Sequence, residues 1–160
     1  MPPHPTPTGN GGTHARCVEE WLARRSAPRG NPRQNAELVV AGLRAVWERA
    51  RTTLGEVTLA VVFHRAVATI EKAAPQLQHL RMRVSESAAV EIDVLDPDAI
   101  SVESVSSASL VLIEVLKVLD RLTAGVLTAG LHDALAVAGT DVDQRRAPRS
   151  PVPSSERPDT

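Results

Sequence analysis

The sequence predicts an α+β fold, mainly helical, in which three to four helices pack with one antiparallel β-hairpin between disordered N- and C-terminal tails. Three observations predict it. Apolar residues recur at helical spacing over most of the middle of the chain. Between Leu80 and Val94 the period drops to two, with charges that match across a turn. The apolar residues, 42% of 160, are almost all Ala, Val and Leu, with one Phe, two Trp and no Tyr, a set that packs helix on helix more readily than as a broad sandwich.

The tails come from composition. Residues 1–13 are rich in Pro, Thr and Gly, and residues 139–160 in Pro, Ser, Arg and Asp. Neither stretch buries enough apolar surface to offset the entropy of ordering. A single domain over 14–138 remains, long enough to form a core without staples.

Thr13 is a candidate cap for a first helix from His14 to Ser26, whose Cys17, Val18, Trp21 and Leu22 make a narrow apolar stripe. At about three turns such a helix is marginal alone and must dock. Pro28, Gly30 and Pro32 predict a break. The next helix carries Val39, Leu43, Val46, Trp47, Ala50 and Leu54 on one face, and Gly55 stands where a C-terminal glycine belongs. A third runs from Glu56 to Ala74, with Leu59, Phe63, Ala66, Val67 and Ile70 inward and Pro75 stopping it. The tight joint at Gly55 points to an antiparallel pair.

In Leu80-Arg81-Met82-Arg83-Val84 apolar residues alternate with arginines, and in Val90-Glu91-Ile92-Asp93-Val94 with acids. Pairing Val84 with Val90 sets Arg83 opposite Glu91 and Arg81 opposite Asp93, a favourable cross-strand arrangement. Two strands alone are marginal, so the apolar face needs helices behind it. After Asp96-Pro97-Asp98, one long last helix is expected, starting between Ser101 and Ser104, running to Ala138 and ending at Gly139. Val105, Ala108, Leu112, Val115, Leu119, Leu122 and Val126 repeat at three- and four-residue steps. Leu110, Val111, Ile113, Leu116 and Val118 make that helix apolar on nearly every side, which implies a central position or a shared interface.

The net charge of −1 hides a polarity. Residues 14–83 hold 12 basic and 6 acidic side chains, net +6, whereas 84–116 hold seven acids and no Lys or Arg, net −7. Such halves orient a domain against a partner or a second copy. The basic residues are 16 Arg and 2 Lys, read as a bias of genome composition.

Chemistry is sparse. Cys17 is the one cysteine, which excludes an internal disulfide and fits a reducing compartment. The start of the chain lacks a basic, apolar signal, and the Ser109–Leu135 stretch is interrupted by Glu114, Lys117, Asp120, Arg121, His132 and Asp133. A cytoplasmic protein with no membrane span is therefore expected. His4, His14, His64, His79 and His132 include no helical metal spacing, and no phosphate-binding loop occurs. No metal or cofactor is expected. His64, His132, Asp133 and a serine make a catalytic triad only on paper, and Asp93, Asp96 and Asp98 read more simply as strand exit and helix cap. Arg16, Arg24, Arg25, Arg29 and Arg33 form a basic strip, but Glu19 and Glu20 dilute it and stacking aromatics are few, so nucleic acid is disfavoured.

The functional expectation is a non-enzymatic bacterial regulatory or adaptor module that works through a protein partner or by homo-oligomerisation. Its candidate interaction residues are Leu112, Val115, Leu119, Leu122, Val126, Trp21 and Leu22. The alternative is a small-ligand sensor with an apolar pocket between helices. An enzyme would need His64 or Glu114 to act, and no catalytic residue is assigned.

Overall fold

The computed structural model describes residues 11–26, 31–75, 77, 80–84, 90–94 and 100–140, the two strand segments by their backbone alone. Among the described residues five helices build the body: α1 (Gly11–Arg25), α2 (Pro32–Leu54), α3 (Glu56–Ala73), α4 (Val102–Leu122) and α5 (Thr128–Val137).

The fold class corrects the sequence expectation. The hydrophobic core of the described residues is drawn from the five helices and the turns at their ends, with no sheet layer in it. The class is helical rather than α+β. Backbone segments β1 (Leu80–Val84) and β2 (Val90–Val94) form only a two-stranded antiparallel ladder, with Arg81 opposite Asp93 and Arg83 opposite Glu91. A pair of strands is too small to be a layer against which helices organise. The predicted burial of Leu80, Met82, Val84, Val90, Ile92 and Val94 lies outside the described side chains. So do the tails beyond 11–140.

Helix boundaries follow local chemistry. α1 starts at Gly11, inside the stretch read as tail. Pro32, expected to break the chain, instead opens α2 as a first-turn proline, and Asn31 caps it by accepting the Arg33 N–H at 3.1 Å. Gly55, at φ +76°, closes α2 and starts α3 in a single residue. Val39, Leu43, Val46, Trp47 and Ala50 of α2 are buried, and Trp47 meets Phe63 of α3 edge-on with ring centroids 5.1 Å apart. Ser101 and Ser104 cap α4 reciprocally, the Ser101 hydroxyl accepting the Ser104 N–H at 3.2 Å.

The expected single last helix is two. α4 ends in a Schellman turn: Gly125 N–H donates to Asp120 C=O (2.9 Å) and Ala124 N–H to Arg121 C=O (3.5 Å). Ala124 and Gly125 both take positive φ, +48° and +80°. The chain then turns through 123–127 and resumes as α5, which packs mainly on α2. A continuous helix would leave its apolar second half uncovered, and the turn folds that half back onto the body. α4 sits at the centre, touching all four other helices, with Val111, Leu112, Ile113, Val115, Leu116 and Leu119 buried.

Candidate functional site

α1 crosses α4 and α5, and the contact is polar at one end and apolar at the other. At the apolar end Val18 and Trp21 are buried. Trp21 seats against Gly42 of α2, and its Nε1–H donates to the Ala138 carbonyl at 3.3 Å. Arg25 adds a bond from Nη2 to the Ala136 carbonyl at 3.0 Å.

At the other end His14, only 2% exposed, is the most deeply buried ionisable side chain among the described residues. Its Nδ1 shares a hydrogen bond with His132 Nε2 of α5 at 3.0 Å, the rings meeting edge-on at 5.2 Å. His14 Nε2 makes no hydrogen bond, but Asp120 Oδ2 lies 3.7 Å away. The buried Asp120 carboxylate is positioned in turn by Thr128, whose hydroxyl donates to Oδ1. Residues from α1, α4 and the first two turns of α5 thus converge on one carboxylate–imidazole–imidazole chain.

His132 is half-buried and lines a cleft of about 280 Å³ between α1 and α5, together with Cys17, Glu20, Trp21, Arg24, Arg25 and Ala136. Burial holds the His132 imidazole below the usual histidine range, His14 adds to this, and Asp120 and Asp133 oppose it. Burial, then the Glu20 carboxylate, pushes the Cys17 thiol up, with Arg24 opposing. Cys17 is therefore a protonated thiol at neutral pH and not an activated nucleophile.

The residues singled out from sequence are distributed differently. Leu112, Val115 and Leu119 are fully buried in the chain's own core, Trp21 is buried and Leu22 half-buried. Leu122 and Val126 stand at the surface, 56% and 81% exposed. The paper triad is not assembled: His64 is exposed on α3, while His132 bonds His14. Glu114 pairs with Lys117 at 3.8 Å on α4. Much of the arginine strip is met by neighbouring acids, Arg16 and Arg24 by Glu20 (3.1 and 3.5 Å) and Arg33 by Glu37 (3.6 Å). Arg29, His4 and His79, and the Asp96–Asp98 run, lie outside the described residues.

Sequence reasoning missed His14 because nothing local marks it. Residues 14 and 132 are 118 positions apart, and only the docking of α1 brings them together. The one available signal was a histidine on the same helix face as Val18 and Trp21, at i, i+4 and i+7.

Among the described residues no cluster of three His, Cys, Asp or Glu side chains is arranged to hold a metal ion, and no helix is long and apolar enough to cross a membrane. Comparison with protein-family models, with curated proteins and with solved structures returns no match to this chain.

Proposed function

We propose that the chain is a non-enzymatic regulatory or adaptor module that works by protein association, with a second copy of itself as the partner. The observation that carries this reading is an exposed apolar pair on the outside of the bundle. Val57 and Val61, one turn apart on α3, are 82% and 64% exposed, and Ala68 lies on the same face beyond the exposed His64. Exposed valines at helical repeat are the pattern of a helix that docks sideways on another surface. A second copy is favoured because the chain carries both signs in separate segments, net +6 over 14–83 and net −7 over 84–116. Two copies therefore offer each other complementary charge.

Sedimentation of the full chain at tens of micromolar tests the reading. The expected result is a salt-sensitive oligomer that becomes monomeric in Val57→Asp/Val61→Asp, a variant that stays helical and unfolds cooperatively at a concentration-independent melting temperature. A native chain that stays monomeric at high micromolar concentration sinks it.

Small-ligand sensing is the second reading, and the α1–α5 cleft is what favours it. Its lining is not the apolar one expected from the Ala and Val content, since Glu20, Arg24, Arg25 and His132 surround Trp21. A polar, charged small molecule suits such a cleft better than an apolar one. A thermal-shift screen of small carboxylates and phosphates in which no compound raises the melting temperature counts against it.

A further inference from the structure

We propose that the His14–His132 pair is a proton-operated latch that holds the N-terminal half of α1 on α5 at neutral pH and releases it in mild acid. The latch stands whether or not the chain self-associates.

α1 has 15 residues, too few to be stable without its docked face. Its three described ties to α5 and to Ala138, the residue that caps it, differ in kind. Trp21 and Arg25 donate to the backbone carbonyls of Ala138 and Ala136, acceptors that do not titrate in this range. The N-terminal tie is imidazole to imidazole, 3.0 Å apart.

The proton count decides what that tie tolerates. Two neutral imidazoles place one N–H in the gap between His14 Nδ1 and His132 Nε2, which is a hydrogen bond. One added proton is also accommodated. His14 then carries both N–H groups, one donated to His132 and the other directed at Asp120 Oδ2, 3.7 Å away. A second proton sets N–H against N–H across the gap, with two like charges and no acceptor between them. The rings must part. His132 is half-buried and can swing into the cleft, but His14 is enclosed and loses its partner unless α1 lifts at that end.

The other charged groups around the pair come from every packed element. Asp120 of α4 and Asp133 of α5 favour a cation on His132, and Asp120 Oδ2 also lies 3.7 Å from His14 Nε2. Glu20, Arg24 and Arg25 of α1 surround the cleft on which His132 opens, with Arg24 tied to Glu20. Arg49 of α2 lies against Gly130, two residues from His132, and adds positive charge on that side. Burial and His14 together depress the proton affinity of His132, in line with a second proton that the closed pair resists.

Amide hydrogen exchange of the full chain, corrected for intrinsic rates and referenced to α2, tests the latch. One proton taken up on opening makes the opening constant rise about tenfold per unit of pH below the ordinary histidine range. Protection from Ala15 to Trp21 should fall by about fivefold between pH 6.5 and 5.5, approaching the tenfold slope below that, while α2 holds steady. His132→Gln, which keeps a neutral polar side chain but cannot charge, should abolish the pH dependence. Should that variant not fold, the ring-proton NMR titration of the native chain decides. Two widely separated steps for the coupled pair support the latch. Independent titration of both rings near the usual value, α1 protection that tracks α2 at every pH, or an unchanged pH dependence in His132→Gln overturns it.

Discussion

Trp21 of α1 and Gly42 of α2 are in such close apposition that a Cβ at position 42 would lie 2.7 Å from the Trp21 ring carbon Cη2 and 3.0 Å from Leu135 Cδ1. The missing side chain on α2 is the seat for the indole on α1. A glycine in the middle of a 23-residue helix is otherwise unfavourable.

Gly42→Ala therefore sets two effects against each other. Helix propensity favours Ala by about 1 kcal/mol. Overpacking a filled site costs ~1–3 kcal/mol, and the indole cannot easily yield because it is buried and held through Nε1 to Ala138. Net destabilisation is expected in urea unfolding. In a Trp21→Ala background the same substitution should become stabilising, since the shortest contact is gone and only the flexible end of Leu135, at 3.0 Å, has to give. A Gly42→Ala chain more stable than the native one shows that Trp21 does not sit there.

The α4–α5 turn yields a gain. Ala124 occupies the left-handed position of the Schellman turn, φ +48°, where a residue with a Cβ is strained. Ala124→Gly relieves about 1–2 kcal/mol of strain and adds ~0.5–1 kcal/mol of unfolded-chain entropy to be lost. A higher urea midpoint, corresponding to at most about 1.5 kcal/mol, is the expected outcome. A lower midpoint is the result that excludes the left-handed turn.

The heptad-like row of the last third of the chain is split by burial, and truncation should reveal the split. Leu119→Ala opens a cavity in the centre of the bundle and should cost ~2–5 kcal/mol. Val126, in the same repeat, is 81% exposed. Val126→Ala should stay within about 0.5 kcal/mol of the native chain. Equal losses at both positions would mean that one uninterrupted helical face is buried there.

Acid should destabilise the fold in two windows. His132 is depressed in the folded chain, so the unfolded chain binds more protons below the ordinary value of 6.5. Stability is then full above that value and declines as pH falls toward the depressed one. Glu103, in the first turn of α4, is also depressed, chiefly by the Ser101 hydroxyl and then by its own backbone N–H. Its contribution is present above the ordinary 4.5 and is lost as pH falls through the lowered value. Urea midpoints from pH 8 to 3 should show both declines. His132→Gln should remove only the upper one, and a flat profile from pH 7.5 to 5.5 in the native chain contradicts the first assignment.

Several elements were legible because their causes are local. The stripe Val39, Leu43, Val46, Trp47 and Ala50 is buried as its spacing implies, and Gly55 sits at the joint its position suggested. Other features misled for equally physical reasons. Pro32 reads as a breaker unless Asn31 is seen as the cap that makes it a first-turn residue. The break after Leu122 was hidden because the left-handed residue there is Ala124, with its glycine one position later. Alternation and charge matching between 80 and 94 describe how two strands can pair, but they do not determine whether the pair shapes the fold. That mistaken weighting produced the α+β expectation.

Sequence by itself determined which stretches are helical and which of their faces are apolar, since periodicity and capping act over a few residues. It also determined the segregation of charge along the chain. Only the tertiary structure decided that the most apolar stretch becomes a central helix plus a folded-back one. An all-round apolar helix can be covered by a partner or by its own continuation, and the local pattern is the same in both cases. Only the tertiary structure, too, decided that His14, His132 and Asp120 meet. Their proximity arises from the docking of α1 across α4 and α5, and no short-range rule relates residues more than a hundred positions apart.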